Sequence, residues 1–199
     1  MATAVPSSDR LALADRLVLA DLVPGALVRD IALIGAGAGL TGLAAQVSVH
    51  TWLSPVPFTL QTLAVLVTGA ALGSVRGVLS MALYMVAGGA GLPWFADRAH
   101  GWGGPTFGYI VGFVVAAGVV GELARRGNDR QVLSSLGLLA VGSAIVYVIG
   151  ATWLAHDLHL SAQKAVELGV TPFLITDALK LAVAAVVLPG AWTLVRRMR

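Results

Sequence analysis

The chain predicts an all-α integral membrane protein with six transmembrane helices and both termini cytoplasmic. Three observations predict it: a charge-poor composition, a series of apolar segments, and basic residues gathered on one side of them. Of 199 residues, 57% are hydrophobic and 12% charged, and the mean hydropathy is +0.85. A soluble domain carries roughly twice that charge. There is no cysteine, which excludes disulfides, thiolate metal sites and cysteine nucleophiles. The net charge of +3 does not mark a nucleic-acid partner, because most arginines flank apolar runs and no basic region is interleaved with exposed aromatics.

Residues 1–30 read as a cytoplasmic lead-in to a membrane domain at 31–199. Arg10, Arg16 and Arg29 stand among Asp9, Asp15, Asp21 and Asp30, with no apolar core and cleavage site of a signal peptide. A short surface helix around residues 9–21 is expected. Crossing the hydrocarbon core takes about 20 apolar residues, and six segments qualify: 31–50, 57–73, 77–92, 105–124, 131–154 and 172–195. Their separators carry turn chemistry or charge: SPVP, GSVRG, PWFADRAHGWGGP, RRGNDR and HDLHLSAQKAVELGVTP. The second and third spans are short, and the turn at Gly73–Gly77 is tight.

Orientation follows from the basic residues. With the N-terminus inside, ten arginines are cytoplasmic (Arg10, Arg16, Arg29, Arg76, Arg125, Arg126, Arg130, Arg196, Arg197, Arg199), and the outer loops hold only Arg98 and Lys164. The remaining basic residue, Lys180, lies inside the sixth span. Spans two, four and six open with Pro57, Pro105 and Pro172, and proline suits a first helical turn because its missing N–H has no partner there. That supplies a depth scale. Gln61 and Asp177 follow their prolines by four and five residues, so both should lie about 6–8 Å below the outer end, with Lys180 about one turn deeper.

An ionised side chain in a span costs about 2.5–3.5 kcal/mol on insertion scales, so such residues mark cavities or partners. Asp177 and Lys180 are three apart on one helix face and can pair. They are either an internal ion pair holding the bundle together or part of a ligand site. Gln61 at similar depth, with Tyr84 on the third span and Arg98 in the outer loop, favours a polar pocket near the outer face. Thr59, Thr62 and Thr68 share the second segment, but threonine hydroxyls bond back to their own helix, whereas a glutamine amide has two donors and an acceptor to place. These residues do not name the ligand.

The run GAGAGLTG formally contains G-x-G-x-x-G at Gly37, Gly39 and Gly42, yet no strand precedes it, so dinucleotide binding is excluded. The same residues give small-xxx-small spacing in Ala32–Ala36, Gly35–Gly39 and Ala38–Gly42, which lets helix backbones approach closely. The neighbour is another helix of this chain, the favoured expectation, or a partner's helix. In the second case Ala32, Gly35, Ala36 and Gly39 form the interface. There is no P-loop among the chain's two lysines. His156 and His159 lack a third ligand in evidence and read as solvated loop residues, with no metal expected. Glu122 beside Arg125 and Arg126 reads as a solvated or interfacial pair. No nucleophile–base set lies at one depth, so the chain reads as a non-enzyme without cofactor.

PVPFTLQTLAVLVTGAALGSVRG, then GGAGLPWFA, GGPTFGYIVGF and PFLITDALKLAVA, resemble the BioY family, the biotin-specific substrate-binding subunits of energy-coupling-factor vitamin transporters. The resemblance runs from about residue 31 to the C-terminus with its motifs in order. It implies six helices in the cell membrane, a biotin pocket near the outer face, and ligand roles for Gln61, Asp177, Lys180, Arg98 and Tyr84. It also implies a transmembrane coupling subunit and two cytoplasmic ATPases as partners, with the small-residue face of span one as a docking surface. A carrier for another vitamin is the alternative, as is transport without an ATPase module, alone or as a homodimer. Trp94 after GLP and Phe107 after P-T depart from the family pattern by adding bulk at the rim.

Overall fold

The computed structural model describes residues 17–22 and 27–198. The expected surface helix at 9–21 lies mostly outside the described residues, and its described end is a 3-10 turn, Leu19–Leu22. Seven α-helices follow: α1 Leu27–Ala45, α2 Gln61–Leu72, α3 Ser74–Gly89, α4 Phe107–Arg125, α5 Val132–Asp157, α6 Ala162–Gly169 and α7 Leu174–Met198. Each of the six predicted segments holds one of them, and the short α6 comes from the last separator.

The predicted all-α architecture needs one correction. Span one stops being helical at Ala45, and the chain then forms an antiparallel hairpin, β1 Ser48–Thr51 with β2 Ser54–Thr59. Ser48 pairs with Thr59, Val49 with Phe58 and Thr51 with Ser54, with a bulge at His50. The cause is local. Prolines at 55 and 57 bias Ser54 and Val56 away from the α region, and a two-stranded ribbon tolerates their missing N–H groups. Pro57 is therefore a strand residue, not the first turn of a helix, and α2 begins only at Gln61. Pro105 stands just ahead of α4, and Pro172 lies in a 3-10 turn, Thr171–Phe173, leading into α7.

Among the described residues, four helical stretches are long and apolar enough to cross a membrane: Leu27–Ala45, Phe107–Arg125, Val132–Asp157 and Ala162–Arg197. With 12 residues, α2 rises about 18 Å, and α3 with 16 about 24 Å; both fall short of a core of about 30 Å. They join at Gly73 alone, whose φ of +82° suits glycine.

α4 is the packing centre, touching α2, α3 and α5. Its buried stripe includes Gly108, Gly112, Ala116, Ala117, Gly121 and Ala124, and these small residues admit neighbouring backbones. A Cβ at Gly121 would strike the backbone of Gly73 and Ser74. At the charged end, Arg76 bridges Asp21 at 2.8 Å and Asp30 at 3.1 Å. Glu122 and Arg126 form an exposed pair, as expected.

The small-residue run of α1 divides between two faces. Ala38 and Gly42 are buried with Gly37 and Thr41, and this side packs on α3. Ala32, Gly35 and Ala36 are exposed and Gly39 half-buried, and a Cβ at Gly35 or Gly39 would meet nothing within 4 Å. Intrachain packing therefore holds for the Ala38–Gly42 pair but not for Ala32, Gly35, Ala36 and Gly39, which face away from the bundle.

Candidate ligand-binding site

A cavity with about 580 Å³ of empty space, open mouth included, lies where β2, α2, α4, α5 and the start of α7 converge. Like ligand pockets in general, it combines apolar walls with few polar groups. Ile110, Phe113 and Val146 line one part, and Val56 and Pro57 of β2 another. Phe95 and Ala96 come from the loop between α3 and α4. Phe58 on β2 and Phe173 just before α7 pack with ring centroids 4.4 Å apart, joining the hairpin to the last helix.

The polar groups sit in one cluster. Lys180 Nζ donates to Asp177 Oδ1 and to the carbonyl of Thr59, each at 2.7 Å. Asp177, only 5% exposed, accepts a second hydrogen bond at Oδ2 from the Tyr147 hydroxyl at 2.6 Å. Thr59 Oγ1 donates to Gln61 Oε1 at 3.1 Å and accepts from the Gln61 backbone N–H at 3.2 Å. The Gln61 Nε2 group donates to the Tyr84 hydroxyl at 2.8 Å. Tyr84 in turn donates to the Trp94 carbonyl at 3.2 Å, while Trp94 Nε1 donates to the Tyr84 carbonyl at 2.9 Å.

These bonds fix the polar atoms without exhausting them. Lys180 keeps one N–H, Gln61 keeps one N–H and a lone pair, and each Asp177 oxygen keeps acceptor capacity. The arrangement can meet a ligand with both N–H donors and a carbonyl or carboxylate. A buried pair held by hydroxyl and backbone partners meets the satisfaction that buried charges require.

Gln61, Asp177 and Lys180 thus line one cavity, although the proline scale that placed Gln61 failed for its own segment. The hairpin brings Thr59 to Lys180 and carries Gln61 with it. Tyr84 is fully buried behind Gln61 and does not line the cavity. Arg98 is exposed on the loop, with φ of 59°, and does not line it either. The bulk at Trp94 is accounted for: its ring lies 5.1 Å from that of Tyr84, inside the bundle. Phe107 packs between Trp102 and Trp153, at 5.8 and 5.6 Å.

Two participants escaped sequence reasoning. Tyr147 and Tyr109 both line the cavity, and Tyr109 donates to the Gly169 carbonyl at 2.7 Å, tying α6 to α4. The available signal was a lone phenol inside an aliphatic span, which needs a partner when buried. Spacing could not identify that partner. Thr59 acts at Lys180 through its carbonyl, which side-chain patterns do not reveal.

Residues 13–197 match the BioY family. The probable biotin transporter BioY of Pyrococcus horikoshii is 37% identical over 162 residues, covering 80% of this chain and 93% of that one. The biotin transporter BioY of Thermotoga maritima is 37% identical over 150 residues, covering 72% and 87%. The crystal structure of the S-component for biotin from an ECF-type ABC transporter shares the fold with a TM-score of 0.75 at 18% identity, covering 83% of this chain and 92% of that one. The chain belongs to the BioY family.

Proposed function

We propose that this chain binds biotin in the cavity beneath the hairpin and serves as the substrate-binding subunit of an energy-coupling-factor transporter in the cell membrane. It is a transport protein rather than an enzyme. The observation that carries the ligand assignment is the buried Asp177–Lys180 pair, held by Tyr147 and Thr59 beside Gln61 in an otherwise apolar cavity.

Biotin fits that set. Its ureido ring has two N–H donors and one carbonyl, and its tail ends in a carboxylate. Asp177 accepts a ureido N–H through a charge-assisted bond, and Gln61 complements the other edge. The remaining N–H of Lys180, next to Asp177, meets the ureido carbonyl. The thioether ring and aliphatic tail rest on Ile110, Phe113 and Val146. Arg98, outside the cavity wall, is the candidate for the tail carboxylate at the mouth.

In the membrane, α1 to α5 and α7 form the six spans, with both termini cytoplasmic. The shortness of α2 and α3 is offset by the hairpin and loop above them. Energy comes from a coupling subunit and two ATPases, and the outward face of Ala32, Gly35, Ala36 and Gly39 fits close approach of a partner helix.

Biotin titration of the purified protein by calorimetry, beside Asp177→Asn, tests the assignment. Saturable tight binding that the variant loses while remaining folded supports it. Equal affinity in both would make the pair structural, and no binding by folded protein would point to another vitamin.

A further inference from the structure

The β1–β2 hairpin exposes apolar side chains, at its tip and on β1, that do not line the cavity. Trp52 at its tip is 93% exposed, Val49 59% and Leu53 43%. Residues 46–59 contain no Asp, Glu, Lys or Arg, and His50 is their one titratable side chain. Ser48 Oγ donates to Asp97 at 2.5 Å, and His50 Nε2 lies 3.0 Å from the same carboxylate. The hairpin thus carries exposed apolar groups beside polar ones held at Asp97.

Its position relative to α1 decides what covers the apolar groups. Above Arg29 and Asp30, residues 31–45 of α1 rise about 22 Å. The hydrocarbon core is about 30 Å thick, so the helix ends about 8 Å short. The exposed stripe of α1 at Leu40 and Leu43 continues through Val47 into Val49 and the tip. A second constraint limits the depth. Among the described residues the sheet has two strands, so an outer strand edge keeps unpaired backbone groups, which hydrocarbon does not tolerate. Only the boundary between headgroups and acyl chains satisfies both conditions. Tryptophan, an apolar ring carrying one N–H, concentrates at that level.

We propose that Val49, Trp52 and Leu53 seat the hairpin in the lipid boundary on the side opposite Arg29 and Arg76. Lipid is the occupant, because the apolar groups continue the lipid-facing stripe of α1. The hairpin also supplies Val56, Pro57 and Thr59 to the cavity, so one wall of the binding site is anchored to the bilayer. The proposal rests on the bilayer placement of the helices and not on the identity of the ligand.

The chain's lack of cysteine permits a direct test. Leu53→Cys, Val49→Cys and His100→Cys are each labelled with a nitroxide in vesicles of phosphatidylcholine and phosphatidylglycerol, without biotin. Collisions with oxygen and with a water-soluble nickel chelate are then compared. Labels at 53 and 49 should collide preferentially with oxygen, and the label at His100, on the polar loop, with nickel. Preferential nickel access at both 53 and 49 would overturn the proposal. So would dipolar broadening at 53 that vanishes on dilution with unlabelled protein, since a second copy would then cover the face. Because no biotin is present, the result stands apart from the calorimetric test of function.

Discussion

The Tyr147 hydroxyl donates to Asp177 Oδ2 at 2.6 Å, joining α5 to α7 within the cavity wall. Asp177 is thereby held from both sides, by a phenol and by Lys180 Nζ. Free to rotate, the carboxylate would have to be ordered again whenever a ligand entered. Tyr147→Phe removes one partner and little volume. Hydrogen bonds to charged groups are worth about 1.5–3 kcal/mol, so biotin affinity should fall roughly tenfold or more while the protein stays folded. Calorimetry on the variant measures this. Unchanged affinity would reduce Tyr147 to a packing residue.

Tyr84 acts one step further from the ligand. It is fully buried, accepts from Gln61 Nε2 and donates to the Trp94 carbonyl. Tyr84→Phe leaves a buried amide donor unsatisfied, at a cost of about 1–3 kcal/mol. Expected are a lower unfolding temperature and weaker biotin binding together. Tyr84→Phe combined with Gln61→Leu should recover stability but not affinity. Recovery of affinity in the double variant would remove Gln61 from the site.

The two glycine environments predict opposite outcomes. A Cβ at Gly39 meets nothing within 4 Å, whereas one at Gly121 strikes the backbone at Gly73 and Ser74. Gly39→Leu should leave folding and biotin binding intact and abolish co-purification with the coupling subunit. Gly121→Ala should lower the yield of folded protein, read by size-exclusion chromatography, because neither backbone can yield cheaply. Loss of biotin binding in Gly39→Leu would count against a partner surface.

Asp129, in the loop between α4 and α5, is fully buried. Burial pushes its carboxyl above the usual range, partly offset by the hydrogen bond from Trp192, its own backbone N–H and the charge of Arg130. Its folded-state pKa thus lies above the unfolded value of about 3.9. The resulting stabilisation is full below the unfolded pKa and is lost as pH rises through the folded one. Asp129→Asn mimics the protonated acid and can still accept from Trp192. From about pH 4 toward neutral, thermal unfolding of the parent should shift down relative to this variant. Parallel curves would refute the assignment.

Much of this was readable in the chain. Six apolar segments all hold helices because a long run of apolar residues can satisfy its backbone in lipid only by closing its own hydrogen bonds. Asp177, Lys180 and Gln61 were legible because polar groups amid such runs are costly unless used. The hairpin was concealed: Val47, Val49, Trp52 and Leu53 extend the apolar run of span one, and the Pro-Val-Pro signal looks like a helix start until the strand pairing is known.

The sequence by itself determined that this is a helical membrane protein, and it singled out three polar residues of the candidate site. Those properties depend on composition and on spacing within one helix. Only the tertiary structure decided that Thr59 presents its carbonyl to Lys180, that Tyr147 holds Asp177, and that Arg98 stays outside the cavity wall. It also decided which small residues of α1 face the bundle and which face away. Each of these is a meeting between distant segments, set by how α4 packs its neighbours and how the hairpin folds back over them. Such meetings leave no periodicity along the chain.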